Sequence, residues 1–284
     1  MAHTVHVVPH THWDREWYEP FPTFRMRLVE LLDDLLPRLD DPDGLPHFQL
    51  DGQMAVVDDY LEVRPDAAEG LARLNRSGRL SMGPWYVLPD EFLVSGETLV
   101  RDLQLGFRRA EDFGGAMEIG YLPDMFGHVA AMPQLLALFG LEHAVVWRGV
   151  PAAITAPAFR WRSPDGSEVR AEYLPAGYGN GSNAPEDPGE LAERVSMFAA
   201  IQRGLVAEPL LWMAGMDHEV PPAHLDRVVR DLDGTDGWSV RVCSLAEHLA
   251  AAPATDALPV HEGELRSGAR ANLLMGVASN RVDV

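Results

Sequence analysis

Eight short runs rich in apolar and β-branched residues, most of them followed by a stretch with helical spacing, constrain this chain more than any other feature. The runs are "VHVV", "HFQL", "GRLSMG", "EIGYL", "HAVVW", "SEVRAEYL", "PLLWMAG" and "WSVRVCS". Between them lie segments such as "FRMRLVELLDDLLPRLDD", "MAVVDDYLEV", "GETLVRDLQLGFRRAEDF", "MPQLLALFG" and "LAERVSMFAAIQRG", most with apolar residues three or four apart. Alternation of this kind predicts βαβ units and a mainly parallel sheet. Repeated about seven times, it favours a closed (β/α) barrel. The competing open, doubly wound sheet is disfavoured because no G-x-G-x-x-G follows the first strand. The expectation is an α/β fold, a single-domain barrel over residues 1–284.

In a parallel barrel all strand C-terminal ends share one rim, where barrel enzymes place their chemistry. After the first run come His10, His12 and Asp14, and after the second Asp51. Trp85, Asp90 and Glu91 follow the third, Asp124 the fourth and Arg148 the fifth, while Asp217, His218 and Glu219 follow "PLLWMAG". Carboxylates, histidines and aromatic rings recur strand after strand, which a merely solvated surface does not require. The stretch "PAGYGNGSNAPEDPG" reads as one long exposed loop, and loops of that kind often border a site.

Composition narrows the ligand. Lys and Arg total 23 against 43 Asp and Glu, a formal charge of −20, so nucleic acid and anionic membrane surfaces would be repelled. A neutral or cationic ligand fits better. Cys243 is the only cysteine, which rules out an intrachain disulfide and matches a reducing compartment such as the cytoplasm. No apolar stretch approaches the ~18 residues of a membrane span, and no signal-like segment opens the chain. A homo-oligomer is left open.

Each candidate also has a plainer reading. His12 and Asp14 flank Trp13, so in an extended segment both point to one side and can grip one ion. Alone, H-x-D is better read as a hydrogen-bonded loop His beside a solvated Asp. Asp124 in "GYLPDMFGH" and Asp217 in "WMAGMDHEVPP" could simply cap the helices that follow. Arg148 requires a partner because an unpaired Arg at a buried strand end is costly, and Asp124 is a candidate. Trp17, Trp85 and Phe126 are either core or exposed faces on which sugar rings stack. His3, His6, His47, His143, His224, His248 and His261 lack ligand-like spacing and read as surface or satisfied core residues, while His10, His128 and His218 remain supporting candidates.

Taken together, "PHTHWDREW", "GPWYVLPDE", "GYLPDMFGH" and "GELRSGARANLLMGVASNR" resemble glycoside hydrolase family 38, the class II α-mannosidases. The blocks agree in order from residue 5 to residue 281. The resemblance implies a seven-stranded (β/α) barrel acting on α-linked mannose in an oligosaccharide or glycoside. It implies one zinc ion held by His12, Asp14 and Asp124, with Asp124 also the nucleophile of a retaining reaction and Asp217 the acid/base. Trp17, Trp85, Phe126, Arg148 and Tyr178 fall on substrate-binding or nucleophile-supporting positions.

The chain departs from the family pattern in two respects. Where the family supplies a second His ligand, counting back from Gly276 and Arg281 places Asn272. An amide oxygen is a harder ligand than imidazole, which shifts preference toward dications such as calcium or manganese. The helical-bundle and β-sandwich domains that follow the family's barrel have no counterpart in the 284 residues. Two rivals remain: a carbohydrate-binding pseudoenzyme or incomplete fragment, and a metal-dependent polysaccharide deacetylase whose metal would activate water.

Overall fold

The computed structural model describes residues 3–276. In chain order the elements are β1 (Thr4–Thr11), α1 (Phe21–Asp40), β2 (Phe48–Leu50), α2 (Ala55–Leu61), α3 (Ala68–Arg76), β3 (Leu80–Met82), α4 (Gly96–Glu111), β4 (Gly120–Leu122), α5 (Met132–Leu138) and β5 (His143–Val146). Next come β6 (Ala158–Arg162), β7 (Glu168–Tyr173), α6 (Pro188–Ile201), β8 (Leu210–Ala214), α7 (Leu225–Leu232), β9 (Ser239–Val242), α8 (Leu245–Ala251) and β10 (Val260–Glu262). All eight expected strand runs are present. β6 and β10 were not anticipated.

β1 is buried along nearly its whole length, as a parallel strand covered on both faces should be. It pairs in parallel with β2, β8 and β9, and β2 in turn with β3. A second five-stranded sheet runs β10-β6-β7-β5-β4, parallel except where β6 meets β7. Helices cover the outer faces. α1 presents Phe24, Leu28, Leu31, Leu32, Leu35 and Leu39 as one buried stripe, whose leucines pack in one core with Phe48, Leu50, Leu80 and Met82 of the first sheet. Each such leucine contributes roughly 1.5–3 kcal/mol by leaving water. α4 and α6 start where Ser95 and Asp187 accept hydrogen bonds from the Thr98 and Glu190 backbone amides, the capping that short polar side chains supply.

The strands form two sheets whose ladders stop short of each other, so the ladder is not continuous around the ring expected of a barrel. The physical reason lies at the seams. β2, β3 and β4 have only three residues each, and β3 meets the approach to β4 through one bond, Met117 N donating to the Met82 carbonyl at 2.8 Å. At the other seam the 175–189 loop is inserted beside β8. Contrary to expectation it is not simply exposed: Tyr178 and Ala184 are buried, Gly181 N donates to the Met213 carbonyl at 2.8 Å, and Asn180 bonds both Leu211 O and Met213 N. Val8, Tyr121, Val145, Tyr178 and Met213 still share one inner core cluster, so both sheets face a common interior. Among the described residues, no helix is long and apolar enough to cross a membrane.

Candidate active site

The chain beyond β1 and the chain beyond β8 run side by side. His12 bridges Asp217 as a parallel pair, with His12 N donating to Met216 O and His218 N donating to His12 O. This closeness requires Gly215, where an added Cβ would lie 1.9 Å from the His10 carbonyl oxygen, a separation no side chain tolerates. The β1–β2 register, His10 opposite Gln49 and Thr11 opposite Leu50, continues one step to set Asp51 beside His12.

At these strand ends opens a cavity of about 320 Å³ lined by residues 12–16, Gln53, residues 87–90 and residues 124–126. It brings together His12, Asp14, Asp124 and Phe126. His12 is buried, with Nε2 3.7 Å from Asp14 Oδ1 and Nδ1 3.3 Å from Asp51 Oδ2. Burial alone would lower its pKa, but Asp51 and Asp14 override it and raise the imidazole well above its ordinary value. Burial likewise opposes ionisation of Asp14, yet His12 and His218 hold it well below the usual carboxylate range. The Asp14 amide donates to His218 Nε2 at 3.0 Å.

Asp124 sits against Arg148, whose Nε donates to Oδ1 at 2.6 Å, and the Arg148 guanidinium stacks 4.0 Å from the Trp147 ring centroid. Burial is the largest influence on Asp124 and raises its pKa. His12 and Arg148 pull it down, and Asp217 pushes it up again. The two aspartates therefore lie within each other's field. Asp217 accepts a hydrogen bond from the Tyr178 hydroxyl at 2.7 Å, and the buried Tyr178 ring packs 5.1 Å from His12. Burial and the nearby carboxylates push that phenol far above its ordinary pKa.

Other expected contacts fall elsewhere. Trp85 is fully buried, its Nε1 donating to the Tyr121 carbonyl, so it is a core residue rather than an exposed sugar platform. Trp17 is exposed, packs on Tyr18 and lies outside the cavity lining. Tyr178 meets Asp217 rather than lining the cavity. The Asn272 side chain is exposed, while its backbone carbonyl accepts from Arg148 Nη1. Of the supporting histidines, His10 gives Nε2 to the Tyr178 carbonyl and His128 gives Nδ1 to Glu91. The roles of Asp51, Gln53 and Asp90 were not anticipated. For Asp51 the signal lay in its place one residue past the second strand, level with His12 one residue past the first.

The donor types suit zinc: one imidazole nitrogen and the carboxylates of Asp14 and Asp124 line one acidic cavity, and the buried Asp90 Oδ1 has no partner among the described residues. Among the described residues, no three His, Cys, Asp or Glu side chains converge on one point.

Asp124 and Asp217 each lie just beyond the C-terminal end of a parallel strand, Asp124 in the cavity lining and Asp217 paired with His12, at the rim where barrel enzymes place their chemistry. The chain belongs to the family described as Glycosyl hydrolases family 38 N-terminal domain, which matches residues 2–264. It is 39% identical over 233 residues to a Halalkalibacterium halodurans protein named "Putative mannosylglycerate hydrolase", covering 77% of this chain and 26% of that protein. An "Alpha-mannosidase" of Saccharomyces cerevisiae is 26% identical over 179 residues, 60% of this chain and 16% of the relative. The crystal structure of an α-mannosidase from Enterococcus faecalis superposes with a TM-score of 0.87 at 30% identity, covering 93% of this chain and 31% of that one. The chain thus spans about a quarter to a third of the H. halodurans and E. faecalis proteins.

Proposed function

We propose that this chain carries the catalytic site of a retaining α-mannosidase. The observation that carries the reading is the pairing of Asp124, held by Arg148, with Asp217, held by Tyr178, beside the His12–Asp14 cavity. In this reading an Asp124 oxygen attacks the anomeric carbon as the bond to the aglycone oxygen breaks. Tyr178 occupies Oδ1 of Asp217, leaving Oδ2 to carry the proton that passes to the departing oxygen. Asp217 then takes a proton from water, which attacks the same carbon and frees Asp124. Arg148 steadies the Asp124 carboxylate and Phe126 offers an apolar wall.

His12, Asp14 and Asp124 would hold zinc, which when bound supplies a Lewis-acidic anchor for sugar hydroxyls. The substrate we infer is an α-mannoside, and the H. halodurans relative's name favours one with a small, hydrophilic aglycone. The (β/α) barrel is the architecture we infer for the complete ladder, and a reducing cytoplasmic compartment is the setting that fits a lone, buried Cys243.

The test is trapping with a fluorinated mannosyl substrate followed by peptide mass spectrometry. A mannosyl adduct on Asp124, absent in Asp124→Asn, is expected. Turnover of the mannoside without any adduct on Asp124 would remove the covalent mechanism, while neither adduct nor turnover would favour the metal-dependent deacetylase.

A further inference from the structure

The carboxylate most completely enclosed at this site is neither of the pair assigned to the chemistry. Asp51 has no exposed surface, and each group that contacts it is a donor. The Gly52 amide reaches Oδ1 at 2.8 Å; the Trp13 amide and Gln53 Nε2 reach Oδ2 at 2.9 and 2.8 Å. His12 Nδ1 lies 3.4 Å from Oδ1 and 3.3 Å from Oδ2. A carboxylate is the only side-chain group of this size that accepts from all four, since an amide in either orientation would turn its NH2 toward an N–H. The backbone bends to achieve this: Asp51 has φ +42, a left-handed conformation that costs a non-glycine residue free energy and persists where the surroundings hold it. Gln53 braces the same turn by donating to the Trp13 carbonyl at 2.6 Å.

We propose that Asp51 is a positioning residue for His12: it holds the proton of the neutral ring on Nδ1, so that the Nε2 lone pair faces the cavity beside Asp14. A carboxylate behind a ligating histidine fixes both ring orientation and tautomer. The inference rests on the reading that His12 is a metal ligand, and the experiment separates the two. The first measurement is on the unmodified 284-residue chain, metal-free, with [15N]histidine and two-bond 1H–15N correlation above the ring's titration. The His12 signals are assigned by their loss in His12→Gln. Protonated Nδ1 and bare Nε2 are expected; the opposite tautomer overturns the proposal.

The second measurement is equilibrium dialysis against zinc. Asp51→Asn should weaken zinc binding 10–100-fold and redistribute the tautomer in protein that circular dichroism shows to be folded. A folded Asp51→Asn with unchanged tautomer and unchanged zinc affinity overturns the proposal, because a purely structural residue would alter only the melting temperature. If the unmodified chain takes up no zinc, the ligand reading of His12 falls, and the tautomer alone decides the role of Asp51.

Discussion

His6 stands on β1 and His12 one residue past its C-terminal end, and both are buried, yet their surroundings push them in opposite directions. At the lower end, burial together with Arg241 and His248 lowers His6 to a pKa of about 4. Arg241 Nε donates to His6 Nε2 at 3.2 Å, which requires a lone pair there, and His6 Nδ1 has no partner among the described residues. Neighbouring His248 is no better served. Among the described residues neither of its ring nitrogens has a hydrogen-bond partner, and Glu172, 4.0 Å away, is engaged by Arg170 at 2.8 Å. At the upper end, carboxylates surround His12 and raise it despite equal burial. Burial by itself neutralises an imidazole; only the rim carries the carboxylates that reverse this, and that asymmetry marks one end of the strand as chemical and the other as structural.

The largest effect that would break the contrast is at the rim. Asp124→Asn keeps an acceptor for Arg148 and should leave the fold intact, while activity on an aryl α-mannoside falls roughly 10⁴–10⁶-fold. Near-normal turnover would mean that the rim's electrostatics have another purpose.

Two tryptophans sharpen the contrast between what lies at the rim and what lines the site. Trp85→Ala should cost ~3–5 kcal/mol of stability by emptying a core position. Trp17→Ala should stay within ~0.5 kcal/mol, because its ring is 57% exposed. Chemical denaturation of both variants reads the difference, and equal costs would contradict their placements.

The lower end makes a prediction in pH. His6 has a folded pKa of about 4 against an ordinary 6.5, so above pH 6.5 both states are neutral and nothing is lost. As pH falls below 6.5 the unfolded chain takes up a proton that the folded one refuses, and stability declines until about pH 4. The loss attributable to His6 is at most about 3 kcal/mol. His6→Leu should flatten that part of the profile, read as the denaturant midpoint at successive pH values; an unchanged slope would mean that His6 does not carry it.

Legibility in the sequence follows the same division. Strand ends were readable because buried parallel strands are continuous apolar runs, and the polar residues just past each run stand out against them. That placed His12, Asp14, Asp124 and Arg148 together in advance. Trp85 was misread because its place after a strand does not say which way the ring turns, and in the fold it turns inward to the Tyr121 carbonyl. β6 was missed because "AFRWR" alternates apolar and charged residues within a hairpin to β7, not within a βαβ unit. His6 and His248 read as surface or satisfied core residues, whereas the fold buries them with ring nitrogens unpartnered, since nothing local in sequence reports a partner's absence. Asp51 lacked a role because its meaning depends on register between two strands.

The smallest expected effect tests whether the lower half is structural only. α8 begins with a capping box: Ser244 Oγ accepts from the Glu247 amide, and the Glu247 carboxylate accepts from the Ser244 amide and hydroxyl. Those bonds, with Arg241, outweigh burial and hold Glu247 below its ordinary pKa. Ser244→Ala removes one half of the box and should cost about 1 kcal/mol. α8 carries His248 against His6 at 5.4 Å between ring centroids, while Leu245 and Leu249 join the inner core cluster that also holds Tyr178. If the two ends of β1 are independent, the cost appears in thermal denaturation and kcat/KM for the aryl mannoside is unchanged. A fall in kcat/KM beyond about twofold would instead show that α8 transmits through that core to Tyr178 and Asp217, joining the ends that the histidines set apart.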